Sequence, residues 1–331
     1  MVSSRRRFLR LAAGAPVFPV VSRIANGAQA FPSRPITVVV PTGAGGPQDV
    51  VARIVVERMR SSLGQPLIIE NVPGANGNLG TGRVARAKPD GYTLAFSVSF
   101  ATHVVNAAIY ALPYDVVGDF EPVALVADAP SVVLTKKAIA ANDLKELIAW
   151  IKSNPEKASL GHTGPGSPAH VGGILLQKMT GGQFQFATYR SAGQAIQDLV
   201  AGHIDLMLSA PSIALEHVRV GSIRAYAVMG KERLAVAADI PTVDQAGLPG
   251  FYTSPWYAAW APKATPRELV AQINAAVVDA LADPVVRKRL TDLGLAIFPR
   301  EQQTPEALRA FHKLEIEKWW PIIKEAGIKV E

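Results

Sequence analysis

The apolar run Ile36-Thr37-Val38-Val39-Val40 passes through Pro41-Thr42-Gly43-Ala44-Gly45-Gly46-Pro47 into a segment with helical periodicity, and this strand, loop, helix order recurs along the chain. Short β-branched runs without polar alternation suit strands buried on both faces. Alternating with amphipathic helices, they build βαβ units on parallel sheets. The first such runs are Ile36 to Val40, Leu67 to Glu70 and Thr93 to Ser97, separated by helices predicted over Val50 to Leu63 and Leu79 to Ala87. In the first helix Val51, Val55 and Met59 repeat at i, i+4, i+8, giving one face to the sheet. The same grammar continues through strands Val132 to Thr135, Ala158 to His162, Phe184 to Tyr189, Ile204 to Ser209 and Ile223 to Met229. The helices between them are predicted over Leu144 to Ser153, Ala169 to Met179, Ala195 to Ala201 and Ile213 to Val220. That is more parallel strands than one simple sheet holds, so the expectation is an α/β chain of two lobes, with mostly parallel sheets flanked by helices. Two long amphipathic helices, Pro266 to Leu281 and Thr304 to Ala326, close the sequence after an aromatic segment that includes Trp256-Tyr257.

The net charge of +7 is local: Arg5, Arg6, Arg7, Arg10 and Arg23 lie in the first thirty residues, which hold no acidic residue, and without these five the charge falls to +2. Ser4-Arg5-Arg6-Arg7-Phe8-Leu9-Arg10, a short apolar stretch from Leu11 to Val21 and Ala28-Gln29-Ala30 together read as a twin-arginine signal peptide over residues 1–30. The apolar stretch is shorter than the roughly 20 residues of a membrane span. The expected location is therefore the periplasm. With no cysteine, disulfides, thiolate metal sites and thiol nucleophiles are excluded. The six histidines show no metal-binding spacing, no cofactor motif is present, and no basic or aromatic-interleaved stretch supports a nucleic-acid surface.

Two loops stand out. Gly45-Gly46-Pro47 and Gly164-Pro165-Gly166-Ser167-Pro168 each end a strand-to-helix connection with proline at the first helical position, and Ser191-Ala192-Gly193 and Ser209-Ala210-Pro211 are weaker versions. Helix N-termini hold anions, and open α/β sheets bind ligands at the carboxyl ends of their strands. The phosphate patterns fail, because Gly230-Lys231 is followed by Glu232 and the Gly43-x-Gly45 spacing meets Gln48, so a carboxylate is the better anion. The alternative reading is tight turns and good caps. Ser167 and His170 are close enough in sequence for a hydrolase pair, but no G-x-S-x-G surrounds Ser167 and an N-cap is its simpler role. Asp49, in the first turn of its helix, suits a cap or dipole role.

Phe31-Pro32-Ser33-Arg34-Pro35-Ile36, Gly45-Gly46-Pro47-Gln48-Asp49, Glu70-Asn71 with Pro73-Gly74-Ala75, and Pro89-Asp90-Gly91-Tyr92-Thr93-Leu94 form an ordered series of motifs. Asp119-Phe120-x-Pro122-Val123, Leu199-x-x-Gly202-x-x-Asp205, Ile240-Pro241-Thr242-Val243 and Ala246-Gly247-Leu248-Pro249-Gly250 extend it. In these the chain resembles the Bug family of periplasmic solute receptors, the binding proteins of tripartite tricarboxylate transporters. The resemblance implies a monomeric, non-enzymatic Venus flytrap: lobe 1 from residues 31–128 and 232–331, lobe 2 from 129–231, closing on a small organic carboxylate for delivery to membrane subunits. It implies a ligand held by Thr42, Gly43, Ala44, Gly45, Gly46, Gln48, Asp49 and Ser97 of the first lobe. From the second it implies Thr163, Gly164, Gly166, Ser167, His170, Ser191, Ala192, Asp205 and Ser209. Where the family has Tyr-Lys-Gly this chain has Tyr189-Arg190-Ser191, and Thr42-Gly43-Ala44 replaces an aromatic and proline-rich turn. A ligand-sensing receptor with the same pocket is the alternative to transport.

Overall fold

The computed structural model describes residues 31–328, so the signal peptide expected over residues 1–30 lies outside the described residues. Strands β1 (Ile36–Val40), β2 (Leu67–Asn71) and β3 (Thr93–Val98) pair in parallel, with α1 (Pro47–Leu63) and α2 (Asn78–Ala85) in the connections. Two longer strands, β4 (Phe120–Asp128) and β10 (Trp256–Pro262), add antiparallel pairs, and with the short β11 (Ala296–Ile297) the order is β11-β4-β10-β3-β1-β2. The second sheet contains β5 (Val132–Lys136), β6 (Ser159–His162), β7 (Gln185–Thr188), β8 (Leu206–Ser209) and β9 (Ile223–Val228) in the order β7-β6-β8-β5-β9. Here β6, β7 and β8 are parallel, while β5 runs antiparallel to both β8 and β9. Two α/β lobes are therefore present, and each sheet is mixed: the parallel strands occupy one side and the chain crosses between lobes on the other.

The sequence reading missed β4 and β10, for different reasons. Both are buried along nearly their whole length, so neither alternates. Pro122 interrupts β4 and is accommodated beside a register shift, and β10 carries no β-branched residue. The hinge is built where these strands leave the first sheet. Ala129 N donates to Pro255 O at 2.9 Å and Ser131 N to Thr253 O at 3.4 Å, so the two crossing segments run side by side.

Three layers of apolar side chains hold the lobes. Helix α1, α8 (Arg267–Ala282) and α9 (Pro284–Asp292) cover one face of the first sheet through Val55, Met59, Ile273, Val277 and Leu290. On the opposite face Phe100 and Val104, from the helical segment 100–109 that ends in α3 (Asn106–Ile109), pack with Trp256, Trp260 and Trp319. That core continues into the second lobe through α4 (Leu144–Ser153) and α5 (Pro168–Thr180), so the two lobes share one apolar body on this side. Helices α6 (Ala192–Ala201) and α7 (Pro211–Arg219) cover the remaining face of the second sheet. Leu234, Ala237 and Ile240 join that third core, so the segment after 231, assigned to lobe 1 from the sequence, packs on the second sheet. The last helix, α10 (Pro305–Glu325), spans the hinge: Trp256 Nε1 donates to Glu315 at 3.3 Å, Lys318 Nζ to Tyr252 O at 2.9 Å, and Glu325 pairs with Lys178 of α5. Among the described residues no single helix is long and apolar enough to cross a membrane.

Candidate functional site

The carboxyl ends of β1 and β3 in the first lobe, and of β6, β7 and β8 in the second, all lie at sheet ends that the crossing segments join. After β1 the chain turns through Thr42 to Gly46, with Gly45 at φ +78°, and α1 starts at Pro47. Gly46 has no side chain to cap the helix, and proline has no N–H to lose, so the N-terminus of α1 stays open.

Asp49 shapes this loop from beneath. Its carboxylate, 1% exposed, accepts from Gly45 N at 2.9 Å, Asn71 Nδ2 at 3.0 Å and Arg53 Nε at 2.8 Å. The Arg53 hydrogen bond, opposed by burial and reinforced by Gly45 and Asn71, holds its pKa down at about 2. Asn71 also donates to Thr42 O at 3.1 Å and so ties both ends of the loop to β2. Asp49 and the Gly45 N–H are thus spent on each other. Gln48 is also committed inward, its Nε2 donating to Phe96 O at 3.0 Å. Ser97 is fully buried against Ser99, whose Oγ lies 3.0 Å away and accepts from Trp260 Nε1 at 2.9 Å. These are supports of the loop and the sheet. Gly43 and Ala44 are exposed at the tip. The Thr42 hydroxyl is buried and has no hydrogen-bond partner.

In the second lobe the cap positions divide. Ser167 caps α5 by accepting from His170 N at 3.3 Å, and Ser191 caps α6 by accepting from Gln194 N at 3.3 Å, with Ala192 as the first helical residue. Their hydroxyls serve the helices. The Gly166 N–H donates to His170 Nδ1 at 3.2 Å, and Gly164 N lies 3.1 Å from His162 Nδ1, so the glycine amides expected to cradle an anion already face imidazoles. Thr163 is exposed beside them. Among the described residues no hydrogen bond joins the Ser167 hydroxyl to an imidazole, which leaves the hydrolase pair without its proton path. Asp205 sits at the opposite end of its strand, before Leu206, where it accepts from Ser159 N and Oγ at 3.0 and 2.7 Å and pairs with Lys136 at 2.7 Å. It ties strands together away from the loops.

Helix α7 has the open arrangement of α1. Ala210 gives no side-chain cap, Pro211 occupies the first position, and the preceding Ser209 hydroxyl is buried without a partner. Two proline-initiated, uncapped helix N-termini, one per lobe, each follow an unpaired buried hydroxyl, Thr42 in the loop after β1 and Ser209 at the end of β8. A buried hydroxyl without a partner costs roughly 1–3 kcal/mol. From the sequence the loops at 45–47 and 164–168 stand first and those at 191–193 and 209–211 second; the side-chain caps divide them differently, closing α5 and α6 and leaving α1 and α7 open.

The lobes meet near these loops. A Cβ on Gly166 would fall 2.5 Å from Ile109 Cδ1, and one on Gly294 2.7 Å from Pro211 Cβ, so the second-lobe loop abuts segment 100–109 and α7 abuts the turn before β11. Segment 100–109 also adjoins the first-lobe loops, since Asn106 Nδ2 donates to Asn78 Oδ1 at 2.7 Å and to Asn76 O at 2.9 Å. Two cavities are present: one of 650 Å³ between α5 and the end of α10, with Pro165 and His170 of the second-lobe loop in its wall, and one of 730 Å³ beside the hinge, lined by Asp128, Ser254, Glu315 and Lys318. Burial, against the Ser254 hydroxyl bond, pushes Asp128 up to about 7. Among the described residues no group of three His, Asp or Glu side chains is placed to hold a metal ion.

Comparison with known proteins places this geometry in a family. BugT of Bordetella pertussis is 33% identical over 325 residues, spanning 97% of this chain and 99% of BugT. The structure of the periplasmic binding protein BugD is 35% identical with a TM-score of 0.75, covering 91% of this chain and 100% of that one. MatC from Rhodopseudomonas palustris, solved with bound malate, is 38% identical with a TM-score of 0.75, covering 88% and 100%. An R. palustris protein solved with adipate is 28% identical with a TM-score of 0.77, covering 91% and 100%. The model of the tripartite tricarboxylate transporter family receptor, TctC, matches residues 51–328, and this chain belongs to that family of solute-binding receptors.

Proposed function

We propose that the chain is an exported periplasmic receptor, monomeric, that closes its two lobes on a small organic dicarboxylate and presents it to the membrane subunits of a tripartite tricarboxylate-type transporter. The observation that carries this is the matched pair of open helix N-termini, at Pro47 and Pro211, each with an unpaired hydroxyl beside it, at Thr42 and Ser209. An uncapped N-terminus attracts negative charge by about 0.3–1 kcal/mol at an exposed site and more when partly buried. A guest with a carboxylate at each end satisfies both lobes at once, and contact with both is what favours the closed form. The malate and adipate held by two relatives are dicarboxylates of different length, which supports the class without choosing the member. Thr42, Gly46 and Ser209 are the ligand contacts favoured from the sequence-derived set, with Gly43, Ala44 and Thr163 at the rim. Asp49, Gln48, Ser97, Ser167, Ser191 and Asp205 act as supports.

Titration calorimetry at pH 7 with malate, succinate, adipate and citrate, against butyrate and succinamide, tests the reading. At least one dicarboxylate should bind about tenfold or more tightly than the monocarboxylate of equal length, a difference of about 1.4 kcal/mol. Equal binding of mono- and dicarboxylates, or binding of none, overturns it.

A further inference from the structure

Two imidazoles lie beneath the second-lobe loop. His162 ends β6 and His170 sits in the first turn of α5; their rings stack with centroids 4.7 Å apart, and Phe186 of β7 stands edge-on to both. His170 Nδ1 receives the N–H of Gly166 at 3.2 Å. Gly166 is also where this loop meets the first lobe. It adopts φ +76°, and its missing side chain leaves room for Ile109 Cδ1 and Val105 Cγ1, which a Cβ would approach to 2.5 and 3.1 Å. One imidazole nitrogen therefore orients the peptide whose Cα fits against the other lobe.

We infer that His170 is a positioning residue for lobe closure, its unprotonated Nδ1 holding Gly166 in the conformation that seats the loop on Val105 and Ile109. The inference rests on the receptor reading above for what closure retains. For Nδ1 to accept, the ring proton must sit on Nε2. A second proton on Nδ1 would set two donors against each other across the 3.2 Å contact and turn the Gly166 peptide out of its seat. His162 plays a different part. Its Nδ1 lies 3.0 Å from Gly164 O and 3.1 Å from Gly164 N, and its Nε2 lies 3.1 Å from the Thr188 hydroxyl, so either tautomer is satisfied. His162 is the stacking partner.

Few charges face the His170 ring. Besides His162 on β6 there are Lys178 on its own helix and Glu325 on α10, paired with each other across the 650 Å³ cavity, while β7 presents Phe186 and Thr188. Among the described residues no carboxylate is bonded to the ring to hold a proton on it. Burial, and then the neighbouring His162, push His170 down to about 4, in keeping with an acceptor.

The test has two arms. In the ligand-free protein, ¹⁵N–¹H spectra from pH 7.5 to 3.5 should show the Gly166 amide and the His170 ring titrating together with a midpoint of about 4. With malate as the calorimetric probe at pH 7, His170→Ala should weaken binding about tenfold, one lost charge-free hydrogen bond and its ordering being worth roughly 1.4 kcal/mol. His170→Asn, whose Oδ1 replaces Nδ1, should recover binding to within about threefold of wild type and abolish the low-pH midpoint of Gly166. A Gly166 resonance indifferent to the His170 titration, or an Asn variant as weak as the Ala variant, overturns the assignment. Failure of wild type to bind malate or any other dicarboxylate refutes the receptor reading instead, and the spectroscopic arm then decides the role of His170 alone.

Discussion

Replacing Asp49 by asparagine removes one negative charge from the first-lobe loop while keeping its shape. The carboxylate is nearly fully buried and accepts from Gly45, Asn71 and Arg53, and its pKa of about 2 against a reference of 3.8 measures how strongly the fold prefers it ionised. That difference is worth ~2.5 kcal/mol at neutral pH. Arg53 is half exposed, so solvent screens part of its share and about 1.5–2.5 kcal/mol is the better figure. Asparagine also turns one acceptor into a donor facing donors, which adds about 1 kcal/mol. Urea unfolding at pH 7 should therefore show Asp49→Asn destabilised by about 2.5–3.5 kcal/mol. The sign of the pH dependence follows from the depressed pKa: the contribution is complete above the unfolded value of 3.8 and is lost as pH falls through about 2. Roughly half of the charge-dependent part should be gone by pH 3. A loss below about 0.5 kcal/mol at pH 7, or a gap between the two proteins that stays constant from pH 7 to 3, would refute the network as described.

The other predictions concern the binding edge and the lobe contact. Ser209→Ala and Thr42→Val remove hydroxyls that lack partners, so ligand-free stability should hold or rise by up to about 1 kcal/mol in thermal unfolding while dicarboxylate affinity falls; parallel losses of both would contradict the assignment. Gly46 has φ −71°, and a Cβ there meets only Gly43 O at 3.4 Å, so Gly46→Val should leave stability within about 1 kcal/mol yet weaken ligand binding about tenfold by crowding the α1 N-terminus. Gly166→Ala combines a left-handed backbone with a clash on Ile109, and scattering should find a larger radius of gyration in the presence of ligand, with unchanged dimensions counting against the lobe seat. His103, His162, His170 and His312 are all held neutral chiefly by burial, so stability should fall as pH drops from about 6.5 toward 4, the unfolded chain taking up protons that the folded one refuses. Urea midpoints unchanged across that range would show the rings to be solvated.

The periodic parts of the chain declared themselves without a structure. Val51, Val55 and Met59 at helical spacing, the β-branched run at Ile36 to Val40, and the proline starts at Pro47, Pro168 and Pro211 fix helices, strands and their polarity locally, and β1 to β3 and β5 to β9 follow. Helix α9 and the segment 100–109 escaped, as did β4 and β10, because Pro122 and the alanines of β10 carry no local strand preference. Those strands exist because they are buried on both faces between sheet neighbours, and that condition comes into being only in the folded molecule. The same holds at the site. The sequence singled out the four loops at the strand ends, with glycine, serine and proline where an anion could approach. The cap at Ser167 is legible locally, since serine at 167 and 191 can close a helix end where Gly46 and Ala210 cannot, but the partners of the imidazoles and of Asp49 are not. Ser167 and Ser191 close theirs, His162 and His170 occupy the glycine amides of the second loop, and Asp49 turns inward to Arg53 and Asn71. The bonds of Gln48 to Phe96, Asn71 to Thr42 and Asp205 to Ser159 join residues 29 to 48 positions apart and are chosen by tertiary packing, so residue types set which groups could bind, and the fold decided which remained free to do so.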